Sequence, residues 1–235
     1  DLHYPLRRQR QMCIRDRYSK EFNKGELPAQ PKKNIAILTC MDARFDPAKA
    51  LGLEEGDAHV IRNAGGRVTD DAIRSLVISH KLLATNEWIL IQHTDCGMQK
   101  ISDETIAKLL EDDLETASFD GQSWSNNNTK SENSKPGSKE GHNINWYTFS
   151  SLKQSMTEDL KIIKNHSLLT SNIKVHGFIY EVSSGKLIKI EDYKYCGGGF
   201  NPKQLASILK TSKIFIHCRS EWDECRIISE AALNG

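Results

Sequence analysis

Cys40, His93 and Cys96 are the residues of this sequence best suited to hold a metal. Two thiolates and one imidazole form a donor set that favours Zn²⁺ in tetrahedral geometry. Three protein ligands leave a fourth position for water, the arrangement of a catalytic site rather than a structural one. Neither half of the set is specific alone: H-x-x-C is a short spacing, and a single Cys after an apolar run is ordinarily a small hydrophobe. The pair gains weight from Asp42 and Arg44, which alternate with Cys40 in the string Cys40-Met-Asp-Ala-Arg44. An aspartate so close to a cation needs a restraint, and Arg44 offers a bidentate one.

Both strings must be delivered to one place by the elements that precede them. Asn34-Ile-Ala-Ile-Leu-Thr39 leads into Cys40 and Trp88-Ile-Leu-Ile91 leads into His93. Short apolar runs of this kind predict strands buried on both faces. Ala58-His-Val-Ile61 reads as another strand between them. Asp46-Pro47 predicts an N-cap and a proline in the first helical position, and Asp70 a cap for a helix carrying Ile73, Leu76, Val77, His80 and Leu83. Residues 102–115 and 148–165 have the periodicity of amphipathic helices. A hairpin follows over Val175–Val182 and Lys186–Ile190, with its turn at Ser183-Ser-Gly185. Strands alternating with helices predict an α/β fold with a central, mostly parallel β-sheet flanked by helices, whose strand C-terminal edge is where sites are built.

Composition narrows the function classes. Lys and Arg number 32 against 31 Asp and Glu, a formal charge of +1, so there is no basic surplus for nucleic acid or an anionic membrane. No apolar run approaches the roughly 20 residues that span a bilayer, and no secretion signal is visible. These features predict a soluble cytoplasmic protein, with an organellar matrix as the other compartment. Six cysteines without a disulfide framework are expected to be reduced. Residues 1–31, rich in Arg and without apolar periodicity, read as a disordered or non-native leader. Residues 118–143 turn to Asn, Ser, Lys and Gly and read as a mobile surface insertion in a domain spanning 32–192. The tail, 193–235, predicts a helix after Gly197-Gly-Gly199, a strand at Ile214-Phe-Ile216 and a further helix after Ser220.

Leu38-Thr-Cys-Met-Asp-Ala-Arg44, Val60-Ile-Arg-Asn-Ala-Gly-Gly66 and His93-Thr-Asp-Cys-Gly-Met98 together resemble the β-class carbonic anhydrases, especially their compact prokaryotic-type clade. The resemblance covers roughly residues 32–192. It implies one zinc per chain on Cys40, His93 and Cys96, a catalytic dyad of Asp42 and Arg44, and a pocket wall of Asn63, Ala64, Gly65 and Gly66. It further implies a homodimer or dimer of dimers that hydrates carbon dioxide to bicarbonate and a proton by zinc-bound hydroxide. Two thiolates make the metal centre formally neutral, so it should acidify water less than a three-histidine site, where the pKa is about 7. Asp42, held by Arg44, would then orient the hydroxide, and the two glycines would let backbone approach the substrate. Relatives that hydrolyse carbonyl sulfide or carbon disulfide share these motifs and supply the alternative activity. A zinc-binding regulatory protein without catalysis is a second alternative, against which the intact Asp42 and Arg44 stand.

The remaining candidates have plainer readings. His59, His80 and His176 fall on predicted strands or an apolar helical stripe and read as satisfied structural histidines. Cys13, Cys196, Cys218 and Cys225 lack closely spaced ligand pairs and read as ordinary thiols. His217 with Cys218 and Cys225 is a remote candidate for a second metal. Gly65-Gly66 lacks the further glycines or Lys of a phosphate loop.

Overall fold

A computed structural model describes residues 3–127, 136–190, 214–218 and 225–229. Its central sheet has five strands, β1 (Ile35–Cys40), β2 (Ala58–Asn63), β3 (Glu87–His93), β6 (Lys174–Glu181) and β7 (Lys186–Lys189), in the order β2-β1-β3-β6-β7. The first four run parallel and β7 returns antiparallel to β6, so the expected mostly parallel sheet is the one found. Every residue of β1 and β3 is buried. The only polar side chain within β1, Thr39, donates its hydroxyl to the Ile91 carbonyl at 2.8 Å and so leaves no unmade bond there.

Alternation along the strands divides the core between two faces. Ala36, Leu38, Trp88 and Leu90 face α3 (Asp70–Lys81) and α5 (Leu152–Asn165), with Leu76, Met156 and Ile163 packed in. Ile35, Ile37, Ile89 and Ile91 face the other way onto Phe45, Phe178 and Leu51 of α2 (Pro47–Leu51). At about 1.5–3 kcal/mol for each such side chain removed from water, both faces favour the strands that end at Cys40 and His93.

Caps set the helix starts. Asp46 accepts from the Ala48 and Lys49 amides ahead of Pro47, as the sequence predicts. Thr69, rather than Asp70, caps α3 by accepting from Ala72 N. Ser102 caps α4 (Asp103–Asp112) and Ser151 caps α5, which therefore starts at Leu152 and leaves Phe149 in the preceding loop.

Three segments differ from their sequence readings. His3–Glu21 forms a helix, α1, whose side chains from Met12 onward are exposed. Its Arg, Gln, Lys, Met and Glu residues are good helix formers, a local propensity that favours the helix without any apolar periodicity. Residues 117–126 form a hairpin of β4 (Ala117–Phe119) and β5 (Trp124–Asn126), with Asp120 accepting from the Gln122 and Ser123 amides across the turn. Lys139–Asn143 is a 3₁₀ turn lying on α4, tied by Ser138 N to the Leu110 carbonyl at 2.7 Å. Turn chemistry thus orders part of the insertion that composition leaves mobile. In the tail, β8 (Ile214–Cys218) is the expected strand, but Cys225–Ser229 is a second strand, β9, where a helix is expected after Ser220. Consecutive β-branched Ile227 and Ile228 favour an extended chain. The helix expected after Gly199 and the thiol Cys196 lie outside the described residues.

Candidate metal centre

Parallel pairing of β1 with β3 sets Thr39 opposite Ile91, so Cys40 and His93 emerge together at the C-terminal edge of the sheet. The chain then turns through Thr94 and Asp95 to bring Cys96 back. Thr94 N donates to the Tyr180 carbonyl at 2.9 Å, its hydroxyl accepts from Val182 N at 3.0 Å, and Asp95 takes a left-handed φ of 58°. As a result one donor atom each from Cys40, His93 and Cys96 lies within 4.8 Å of the other two. All three residues are buried.

The donor chemistry fits a metal. His93 Nδ1 donates to the Thr94 carbonyl at 2.8 Å, which leaves the lone pair on Nε2. Among the described residues, that buried Nε2 has no hydrogen-bond partner. Asp42 Oδ2, at 3.7 Å, is too far to serve. An unsatisfied buried acceptor costs about 1–3 kcal/mol, and a soft cation between the nitrogen and two sulfurs would satisfy it. The sulfurs are linked as well. The hydrogen bond from the Cys96 S–H lowers the Cys40 thiol, while that same bond and burial raise Cys96.

Asp42 and Arg44 stand beside these donors as a bidentate pair. Arg44 Nε donates to Oδ1 at 3.0 Å, Nη2 to Oδ2 at 2.7 Å, and the Arg44 amide to Oδ1 at 2.8 Å. The guanidinium lowers the Asp42 carboxyl to about 2. A residue that spacing did not single out, Arg62 on β2, pins the same loop by donating to the carbonyls of Cys40 at 3.0 Å, Asp42 at 2.7 Å and Phe45 at 3.0 Å. Its one sequence signal was a charged residue directly after the apolar pair Val60-Ile61.

The Asn63–Gly66 string lies against the centre. Its last residue packs on the sheet backbone: a Cβ at Gly66 would stand 2.8 Å from Cys40 N and 3.0 Å from the Ile91 carbonyl oxygen. Asn63 spends its carboxamide on closing the loop, donating to the Arg67 carbonyl at 2.7 Å and accepting from Arg67 N at 2.8 Å. Gly65 is buried near Met98 and Phe149, and Ala64 is exposed. Arg67, also unmarked by spacing, anchors this loop to α5. It makes a bidentate pair with buried Asp159 at 2.9 and 3.1 Å, and Gln92 Nε2 donates to the same carboxylate at 2.9 Å.

The three histidines read as structural are satisfied. His59 donates Nε2 to the Ala29 carbonyl and accepts at Nδ1 from Ser79, His80 donates to the Thr85 carbonyl, and His176 donates to Glu87. Cys13 is an exposed free thiol. His217, Cys218 and Cys225 have described backbone only, with Cys218 opposite Cys225 across β8 and β9.

A family model described as carbonic anhydrase matches residues 35–187. The β-carbonic anhydrase 1 of Mycobacterium tuberculosis is 39% identical to this chain over 173 residues, 74% of this chain and 91% of that protein. A carbon disulfide hydrolase of Saccharolobus solfataricus is 35% identical over 166 residues, 67% of this chain and 77% of that protein. Among solved structures, the carbonic anhydrase of Streptococcus mutans matches with a TM-score of 0.63 at 35% identity, over 77% of this chain and 96% of that one. With the sheet, the donor cluster and the sequence motifs in agreement with these relatives, the chain belongs to the β-carbonic anhydrase family.

Proposed function

We propose that this protein reversibly hydrates carbon dioxide to bicarbonate and a proton, using one zinc ion held by Cys40, His93 and Cys96. The observation that carries this reading is the unpartnered His93 Nε2 between two buried cysteines, with a bidentate Asp42–Arg44 pair beside it. A zinc ion bound there supplies a Lewis acid and an acidified water.

The chain's own residues do the rest. Thr94 fixes the His93 tautomer so that Nε2 faces the cluster. Asp42, with its carboxyl lowered to about 2, is too weak a base to take a proton near neutral pH and acts instead as a fixed acceptor that aims the attacking oxygen. Arg44 keeps that carboxylate ionised and away from the donors. Gly66 lets the loop lie on the sheet edge without displacing Cys40. A homodimer or dimer of dimers, as the family resemblance implies, is part of the same reading. So are a pocket wall at residues 63–66 and a domain spanning 32–192.

Hydrolysis of carbon disulfide or carbonyl sulfide is the second reading, favoured by the 35% identity to the Saccharolobus solfataricus enzyme. The same donors and dyad would serve it. Stopped-flow hydration of carbon dioxide, run beside sulfide release from both sulfur substrates on zinc-loaded protein, tests the two. Hydration without sulfide release supports the first, and the reverse result overturns it.

A further inference from the structure

Among the described residues Arg44 has two carboxylate partners, Asp42 and Asp95. Its Nη1 donates to Asp95 Oδ2 at 2.7 Å and its Nη2 to the Asp95 main-chain carbonyl at 3.0 Å. Side chain and backbone of one residue therefore hold the far side of the guanidinium while Nε and Nη2 face Asp42. Two anchors on a planar fork fix its rotation, and with it the direction in which the fork meets the Asp42 carboxylate.

Asp95 is shaped for this task. Its left-handed φ of 58° is one that Asp tolerates better than most residues, and there its carbonyl and carboxylate reach the same guanidinium. Lys100 forms a salt bridge with Oδ1, leaving Oδ2 to Arg44. Charges alternate along the row Asp42, Arg44, Asp95, Lys100, so Asp95 carries its own counter-charge and does not have to draw Arg44 away from Asp42.

We infer that Asp95 is a positioning residue for the hydration reaction proposed above, fixing the Asp42 carboxylate through Arg44 with Lys100 as counter-ion. Asp95 lies between the ligand candidates His93 and Cys96, so a role in shaping the ligand loop has to be separated from a role through Arg44. The two differ in one respect: a residue acting through Arg44 has nothing to act on once Arg44 is gone.

The test uses the zinc-loaded full chain with Asp95→Asn, which keeps an acceptor and tolerates the backbone, and Asp95→Gly, which removes the side chain at a φ glycine adopts freely. Three quantities are read: the Arg44 Nε–Hε NMR signal, identified by its loss in Arg44→Lys; carbon dioxide hydration; and zinc affinity by chelator competition. In Asp95→Gly the Arg44 signal should broaden as the guanidinium is released. Hydration should fall about two- to fivefold, the scale of a half-exposed ion pair, with a smaller fall in Asp95→Asn. Zinc affinity should hold, and Asp95→Gly should cost nothing further in an Arg44→Ala background. An unchanged Arg44 signal, a rate loss that persists without Arg44, or a fall in zinc affinity of about 10- to 100-fold, as expected for a group that orients a ligand, would each overturn the inference. Wild-type protein that carries zinc but does not hydrate carbon dioxide would overturn the reaction, while the Arg44 signal would still decide the link between Asp95 and Arg44.

Discussion

The carboxylate of Asp42 is gripped three times by Arg44, a residue only two positions further along the chain: by Nε at 3.0 Å, by Nη2 at 2.7 Å and by its own amide at 2.8 Å. So held, Asp42 presents an ionised acceptor beside the donor cluster and resists protonation down to a pKa of about 2.

Asp42→Asn should therefore reduce hydration by about 10²-fold or more, because a similar shape is kept but the negative charge is lost and one of the two accepting oxygens becomes an NH2 that cannot accept. Arg44→Ala should be comparably damaging, since it frees Asp42 to approach the donors, and the double variant should be little worse than the worse single one. A folded pKa below the ordinary carboxylate value means that Asp42 favours folding above that value and loses the contribution as the pH falls through about 2. No step in the rate profile above about pH 4 should belong to it, so Asp42→Asn should lower the profile without moving its midpoints. Stopped-flow rates across pH, with zinc content checked for each variant, decide this.

Removing the metal should destabilise the chain. A ligand that binds only the folded state adds about 2.7 kcal/mol at a free concentration 100 times its Kd, so a chelator should lower the midpoint of thermal unfolding and added zinc restore it. Cys96→Ser should abolish the zinc-dependent part of that shift. Calorimetry with metal analysis of the same samples measures it; full zinc occupancy in Cys96→Ser would show the ligand set to be wrong.

Gly66 and Gly97 offer a matched pair. A methyl on Gly66 would press on Cys40 N at 2.8 Å and the Thr39 carbonyl carbon at 2.9 Å, at a φ of +63°, whereas one on Gly97 would meet nothing within 4 Å. Gly66→Ala should cost about 1–3 kcal/mol from strain and overpacking and should also weaken zinc binding, because the displaced backbone carries Cys40. Gly97→Ala should be close to neutral. Denaturant melts and chelator competition on both variants check the contrast.

The buried pair of Arg67 and Asp159 should show its importance only when half of it is removed. Arg67→Met would leave Asp159 and Gln92 facing each other without the guanidinium, at a cost of about 3–5 kcal/mol, and Arg67→Met with Asp159→Leu should recover much of it. Burial already holds the Asp159 carboxyl above the ordinary carboxylate value, against the pull of Arg67. A raised folded pKa favours folding below the unfolded value and loses that contribution as the pH climbs through the folded one. Loss of Arg67 raises it further, so the penalty should be largest at neutral pH and shrink on acidification toward about pH 4. Urea melts at several pH values provide the measurement.

Much of the centre was legible in the sequence because it is local. Cys40, Asp42 and Arg44 share one string and His93 and Cys96 another, and each string follows an apolar run whose periodicity marks a buried strand. The α2 cap at Asp46-Pro47 and the hairpin of β6 and β7 are legible for the same reason. Misreadings fell where the signal is weak at short range: α1 is a helix of strong helix formers whose described side chains are exposed, and the β4–β5 hairpin rests on turn bonds in a polar stretch. Tertiary structure alone decided which distant groups meet. Strand order and register bring Cys40 and His93 to one edge, and the loop after β3 then sets Asp95 against Arg44, 51 residues away. Arg62 reaches back to three carbonyls of the Cys40 loop, and Arg67 finds Asp159 92 residues on. The cause is physical. Strand formation and capping depend on neighbours within a few residues, whereas a hydrogen bond between charged groups depends on where the packed chain places them, and no short-range pattern encodes that distance.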